Sequence, residues 1–380
     1  MISKVNEHLP RMLDLIKRLA AIPAPSGNED ARVSFILGHL NERGIGAYAD
    51  GAKNVIVPIG TDNGGDVTVF SAHTDVVFPD TTPLPVYEKD GKLFAPGVGD
   101  DTANVAAILT IIDILNETGL LRSPKSLVMF VLNSCEEGLG NLKGTRQLIK
   151  DHGHRIKELI SFDCGVGDGV ITGAVGSERW RVAVKTEGGH SYGAFGKPNA
   201  IHILSKLIGR LYEQELPRIG NARTTYNVGV IEGGTSVNTI AQNAWMLYEY
   251  RSDSREALAF MRESFIKLAA EEAEDGAELE KELIGERPCG GDVDPDRQEE
   301  LASRCERAVK AVLGKCFGRC SASTDANVPL SCGIPAVTLG LFSGGGAHTR
   351  EEWLELGSLE AGLEIGLRLV AESCFGIPNE

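Results

Sequence analysis

The residues from Ser126 to Leu132 form an unbroken apolar run bounded by turn residues, and this run most narrows what the chain can become. A strand without polar alternation is buried on both faces, which calls for an α/β fold with a mostly parallel sheet and helices on either side. It ends in Asn133-Ser134-Cys135-Glu136-Glu137-Gly138, with two adjacent acids at the strand exit. On an ordinary surface such a pair is a solvated loop. Beside a dication, one acid can coordinate while the other keeps a raised pKa and takes protons.

The same kind of ending recurs along the chain. Val69-Phe70-Ser71-Ala72 runs into His73-Thr74-Asp75, and in an extended chain residues i and i+2 turn His73 and Asp75 to one side. Gly97-Val98-Gly99-Asp100-Asp101-Thr102 opens a helix expected from Ala103 to Leu115, too densely apolar for a surface helix. Its two aspartates read first as caps favoured by the helix dipole. A short strand from Leu159 to Phe162 delivers Asp163. A strand from Ala336 to Leu339 precedes Ser343-Gly344-Gly345-Gly346-Ala347-His348, ahead of a C-terminal helix reaching Val370. His73, Asp100, Glu136 or Glu137, Asp163 and His348 therefore all follow a strand end or open the next helix. In an open, mostly parallel sheet those ends converge on one crevice. Two histidines with three or four carboxylates and no thiolate suit a pair of dications, zinc first, with manganese or cobalt as substitutes.

Composition bounds the partners. At 380 residues and 42% hydrophobic content, two domains are expected. A net charge of -15 without a basic stripe argues against nucleic acid or an anionic membrane. The first 25 residues read as an amphipathic helix rather than a signal peptide, and no run reaches the length of a membrane span, so a cytoplasmic protein is expected. The eight cysteines contain no Cys-x-x-Cys pair and are expected as free thiols. Cys316 and Cys320 are read as small buried side chains sharing a helix face. No Gly-x-Ser-x-Gly elbow supports a serine nucleophile, and Cys135 and Cys164 read as facing away from their acidic neighbours.

Taken together, Ser71-Ala72-His73-Thr74-Asp75, Gly99-Asp100-Asp101, Glu136-Glu137-Gly138, Asp163 and Gly346-Ala347-His348 resemble the co-catalytic zinc exopeptidases and deacylases. Peptidase T, glutamate carboxypeptidase and succinyl-diaminopimelate desuccinylase typify that family, and the likeness is nearest to tripeptidases of the peptidase T kind. The resemblance implies two zinc ions, with His73 on one, Asp75 fixing its ring, and Asp100 bridging both and followed by a cis peptide. It implies that Glu137 and His348 complete one shell, that Asp163 completes the other, and that Glu136 is the general base. The substrate implied is a short peptide, cut by an exopeptidase. The same metals would serve an aminoacylase acting on N-acyl amino acids, or a carboxypeptidase, and a non-catalytic dimer that only binds ligands is the alternative of another class. Two departures stand out. Thr102 occupies a position where many relatives have lysine, and Asp163 is aspartate, as in di- and tripeptidases, where desuccinylases more often have glutamate.

From residue 178 to residue 287 the chain changes character. A strand at Arg179 to Lys185, a helix at Pro198 to Leu211 opening with proline, strands at Thr224 to Ile231 and Thr239 to Tyr250, a helix at Ser254 to Ala270 and a last strand near Leu279 to Ile284 spell a ferredoxin-like split β-α-β insert. Its sheet edges are exposed, and a twofold mate would cover one of them. The resemblance makes this insert a lid and homodimer domain, leaving a discontinuous catalytic domain of residues 1–177 and 288–380. It also implies that His190 steadies the oxyanion, often from the neighbouring subunit, that Arg251 forks onto a substrate carboxylate, and that Asn238 makes a polar substrate contact. The structural alternatives are a loop cap for His190 and a pair with Asp253 for Arg251.

Overall fold

The computed structural model describes residues 1–60, 64–122, 127–273 and 275–376. The chain divides into two compact units, Met1–Ala174 with Gly291–Glu380, and Val175–Gly290. The first is built on an eight-stranded sheet in the order Tyr48–Ala49, Val55–Ile59, Leu127–Asn133, Val67–His73, Ile156–Ser161, Ala336–Thr338, Val170–Ala174 and Arg319–Ala322. The four strands from Leu127–Asn133 to Ala336–Thr338 are parallel, and Val55–Ile59 and Val170–Ala174 flank them antiparallel. Ser126, the expected start of its strand, lies outside the described residues.

Strict alternation sends the apolar residues of the central strands to both faces of the sheet. Phe70, Ala72, Phe130 and Leu132 enter one core, while Val67, Val69, Met129 and Val131 enter the other. The first core takes the helices Val5–Ala20, Asp30–Glu42, Asn104–Glu117, Pro295–Leu313 and Leu359–Phe375. The second takes Lys143–His152 and Asn327–Ser331. Each fully buried Val, Leu or Ile contributes about 1.5–3 kcal/mol, so Asn104–Glu117, buried from Asn104 to Leu115, is a firm anchor for the turn before it. A buried two-pronged ion pair fastens another helix: Arg304 Nη1 and Nη2 donate to Glu158 Oε1 and Oε2 at 2.7 and 2.9 Å.

Beyond His348 the structure departs from the expected direct passage into a helix. Gly344–Gly345 pairs with Trp353–Glu355, which continues through Lys92–Phe94 to Tyr87–Lys89 as a small antiparallel sheet. The terminal helix starts only at Leu359. His348 thus sits in the connection between two short strands. Cys316 and Cys320 are also corrected: Cys316 follows the helix Pro295–Leu313, Cys320 lies on Arg319–Ala322, and both are exposed. All eight cysteines are free. No helix among the described residues is long and apolar enough to cross a membrane.

The second unit orders its strands Thr224–Gly233, Asn243–Ser252, Gly176–Thr186 and Ala277–Arg287, all antiparallel. Helices Ala200–Glu213 and Arg255–Glu271 close a core around Val182, Leu204, Met246, Tyr248 and Phe265, the ferredoxin-like arrangement. Two expectations shift here. The strand expected from Thr239 to Tyr250 is broken, because Thr239–Ile240 leaves to pair with Gly189–His190. The helix expected to open on proline starts at Ala200, capped by the Asn199 side chain, which accepts from the backbone N–H groups of Ile201 and His202.

Candidate metal centre

Three parallel strands deliver side chains to one end of the first unit's sheet. His73 closes its strand opposite Asn133 in register, and Ser71 lies opposite Ser161, so the chain beyond each strand starts level with its neighbours. The turn Val98–Ala103, held by the buried helix after it, brings in Asp100. The connection 346–352 brings in His348. The Asp100–Asp101 peptide is cis.

Asp100 stands between two histidines and offers one oxygen to each. Its Oδ1 lies 2.9 Å from His73 Nε2, and its Oδ2 lies 3.1 Å from His348 Nε2. Asp163 Oδ1 is 4.0 Å from His73 Nε2. Glu137 Oε1 is 3.3 Å from His348 Nε2, yet this buried oxygen has no aligned donor among the described residues. Two donor triads result, His73–Asp100–Asp163 and Asp100–Glu137–His348, sharing one carboxylate. Glu136 groups with His73 and Glu137, its donor atom within 4.8 Å of theirs.

This donor set fits a pair of dications. Bonds of about 2.0–2.1 Å in a tetrahedral shell put ligand atoms about 3.3 Å apart, close to the separations around Asp100. An orphaned buried carboxylate oxygen, imidazole nitrogens and no sulfur are what a hard-to-borderline cation takes. Without a cation the charges settle by proton exchange. The adjacent carboxylates of Asp100 and Glu137 raise the His348 pKa to about 10. Burial alone would lower that of His73, but the carboxylates of Asp101, Asp100 and Asp75 outweigh it and hold it well above 6.5. Burial and the charge of Asp100 push Asp163 up to about 7.

The supporting groups are mostly carboxylates aimed at backbone. His73 Nδ1 lies 3.1 Å from the Asp75 carbonyl and 3.5 Å from its carboxylate, so the carbonyl is the nearer partner that orients the ring. Asp101 does not cap the following helix; its Oδ2 accepts the His73 N–H at 2.8 Å, and its Oδ1 takes the Asn104 amide at 2.6 Å. Glu352 accepts the N–H groups of Gly97, Gly99 and Asp100, each at 2.8 Å. Gly99 has no room for a side chain there, since a Cβ would meet the Phe342 ring at 2.6 Å. Asp325, fully buried, takes the Asn133 amide at 2.5 Å and the Thr145 hydroxyl. Sequence reasoning misses Asn104, Asp325 and Glu352; the only signal is Glu352 four residues after His348.

His190, Asn238 and Arg251 lie in the second unit. His190 Nδ1 accepts from the N–H of Tyr192 at 3.2 Å, which leaves Nε2 as the ring's proton-bearing nitrogen. The Asn238 carbonyl accepts from Ser191 N–H at 3.0 Å, setting the two loops side by side. Arg251 donates to Glu249, Nε to Oε1 at 3.0 Å and Nη2 to Oε2 at 3.2 Å, rather than to Asp253, which takes the Arg223 N–H instead.

Known proteins resemble this chain in sequence and fold. The profile of peptidase family M20/M25/M40 matches residues 69–372. A succinyl-diaminopimelate desuccinylase of Corynebacterium glutamicum is 25% identical over 92% of this chain and 95% of its own length. Among solved structures, the Bacillus cereus aminopeptidase PepT superposes with a TM-score of 0.72 at 23% identity, covering 96% of this chain and 98% of that one. A Staphylococcus aureus tripeptidase gives 0.75 at 22% identity over 95% and 97%. At that identity the two structures speak for the fold.

Proposed function

The chain belongs to peptidase family M20/M25/M40, a metal-dependent peptidase or amidohydrolase, and from that premise we propose a dinuclear zinc exopeptidase that hydrolyses short peptides. The observation that carries the reading is the sharing of Asp100 between two donor triads, one oxygen towards each histidine. His73 and Asp163 would hold one ion, Glu137 and His348 the other, with Asp100 between. Bound there, two dications would acidify a water towards neutrality and polarise the scissile carbonyl.

The chain's own groups then divide the work. Glu136 takes a proton from the attacking water on a carboxylate oxygen and passes it to the leaving amine, so no covalent acyl intermediate is needed. Asp75 steadies His73 and the Glu136–Glu137 backbone. His190 donates Nε2–H to the oxyanion, Arg251 turns its fork from Glu249 to a substrate carboxylate, and Asn238 makes a polar substrate contact. The ten-residue edge strand Thr224–Gly233, with Val230 and Ile231 exposed, supports a homodimer through the second unit.

A second reading is hydrolysis of N-acyl amino acids, favoured by the likeness to a desuccinylase along nearly the full chain. A library of di- and tripeptides, run beside N-acyl amino acids on zinc-loaded protein, decides between them. Cleavage of N-acyl amino acids without any peptide cleavage would replace the first reading by the second. Glu136→Ala should abolish turnover while both metals stay bound; loss of metal would reverse the roles of Glu136 and Glu137.

A further inference from the structure

The family profile begins at residue 69, yet a stretch some forty residues earlier reaches both turns of the candidate metal centre. Past His73 and Asn133 the strand ladder ends, and the turns 73–75 and 135–137 are joined by the Thr74 N–H on the Asn133 carbonyl at 2.7 Å and by Asp75, which accepts the N–H groups of Glu136 and Glu137. The segment before the helix Asp30–Glu42 braces that junction from outside the sheet. Pro25 forms a parallel bridge with Val76, and Val76 N–H donates to the Ala24 carbonyl at 2.9 Å. The backbone there acts as an extra neighbour strand.

Three side chains of the same stretch then grip the turns. Ser26 Oγ lies 2.5 Å from Asp75 Oδ2 and 3.1 Å from the Glu137 carbonyl. Its single proton goes to the carboxylate that itself accepts the N–H of Glu137. Glu29, 0% exposed, accepts the Cys135 N–H at 3.2 Å and the Gly27 N–H at 2.7 Å. Cys135 sits at φ +58°, a left-handed conformation that a non-glycine residue keeps only when its surroundings hold it. Arg32, 1% exposed, donates Nη1 to the Thr74 carbonyl and Nε to the Ile22 carbonyl, both at 3.0 Å.

These groups are costly where they stand. A buried guanidinium in the first turn of a helix opposes the helix dipole, and a buried carboxylate loses its hydration. The helix dipole disfavours Arg32, and Glu29, although at the helix N-terminus, turns its carboxylate to Cys135 and Gly27 rather than to a capping bond. Ser26 reaches both turns, Arg32 reaches the first at Thr74 and Glu29 the second at Cys135, while the contacts to Ile22 and Gly27 stay within the N-terminal stretch.

We infer that Ser26, Glu29 and Arg32 are positioning residues, forming one clip that sets the spacing of the turns 73–75 and 135–137 and thereby the affinity of the centre for its metals. The inference rests on the dinuclear reading above.

The test is a zinc titration of the metal-free protein against a chromophoric chelator, with the thermal midpoint of the metal-free form measured beside it. Wild type should take up two zinc ions. Ser26→Ala should hold at least one about 10- to 100-fold more weakly with an unchanged midpoint, and Ser26→Thr, which keeps the hydroxyl, should restore wild-type affinity. Arg32→Lys, which keeps the charge but not the fork, should weaken zinc likewise. A Ser26→Ala protein that binds both ions as wild type does overturns the clip alone. So does an affinity loss matched by a loss of metal-free stability. A wild type that takes up no pair of zinc ions overturns the dinuclear reading and the clip with it.

Discussion

Asp75 Oδ2 accepts the backbone N–H of Glu137 at 2.9 Å, so a side chain from one strand end holds the main chain of the next. Its other oxygen does the same for Glu136, also at 2.9 Å. Both triads feel this residue, one through His73 and one through Glu137. Asp75→Asn keeps one acceptor but turns an amide N–H towards a backbone N–H. The expected outcome is a folded protein whose zinc affinity falls about 10- to 100-fold and whose kcat falls with it, read by chelator competition and steady-state kinetics.

Zinc uptake should release protons. In the metal-free protein the neighbouring carboxylates raise His348 to about 10, so it carries a proton at pH 7.5 that ligation must remove, and they raise His73 as well, which adds to the release. Calorimetric zinc titrations in two buffers of different ionisation enthalpy should report net proton release, with affinity rising as pH rises.

The same shifts give the metal-free protein a definite pH profile. A histidine whose folded pKa is raised contributes stability that is fully present below its unfolded value near 6.5 and is lost as pH climbs through the folded value. For His348 that window runs from 6.5 to about 10. Asp163, an acid raised to about 7, adds a decline of the same sign from pH 4 to 7. Thermal midpoints of the metal-free protein should therefore fall from pH 6.5 to 10, and zinc should flatten that fall.

Away from the centre, the buried pair of Glu158 and Arg304 makes a prediction about stability alone. Arg304→Ala leaves Glu158 buried without its partner and should cost about 3–5 kcal/mol in chemical denaturation. Zinc stoichiometry should stay at the wild-type value.

Much of this architecture is legible in the residues because long elements repeat their pattern. The runs ending at His73 and Asn133 are seven-residue strands buried throughout, and Asn104–Glu117 is a densely apolar helix buried from Asn104 to Leu115. Strand ends also point to His73, Asp100, Glu137, Asp163 and His348, which the structure brings into two triads. Short strands escape notice. Gly344–Gly345 and Trp353–Glu355 have too few residues to show a period, so the hairpin around His348 reads as a loop before a helix. Buried polar support escapes as well, since Glu352 bonds the backbone of Gly97, Gly99 and Asp100 across some 250 residues of sequence. Polar residues beside glycine, such as Ser26 and Glu29, look like a surface turn until their partners are seen.

Crystals of the zinc-loaded protein, measured at the zinc absorption edge, test the shared role of Asp100 directly. Two anomalous peaks about 3.5 Å apart are expected, one reached by His73 and Asp163, the other by Glu137 and His348, with one Asp100 oxygen on each. A single peak, or a pair that Asp100 does not touch, would contradict it.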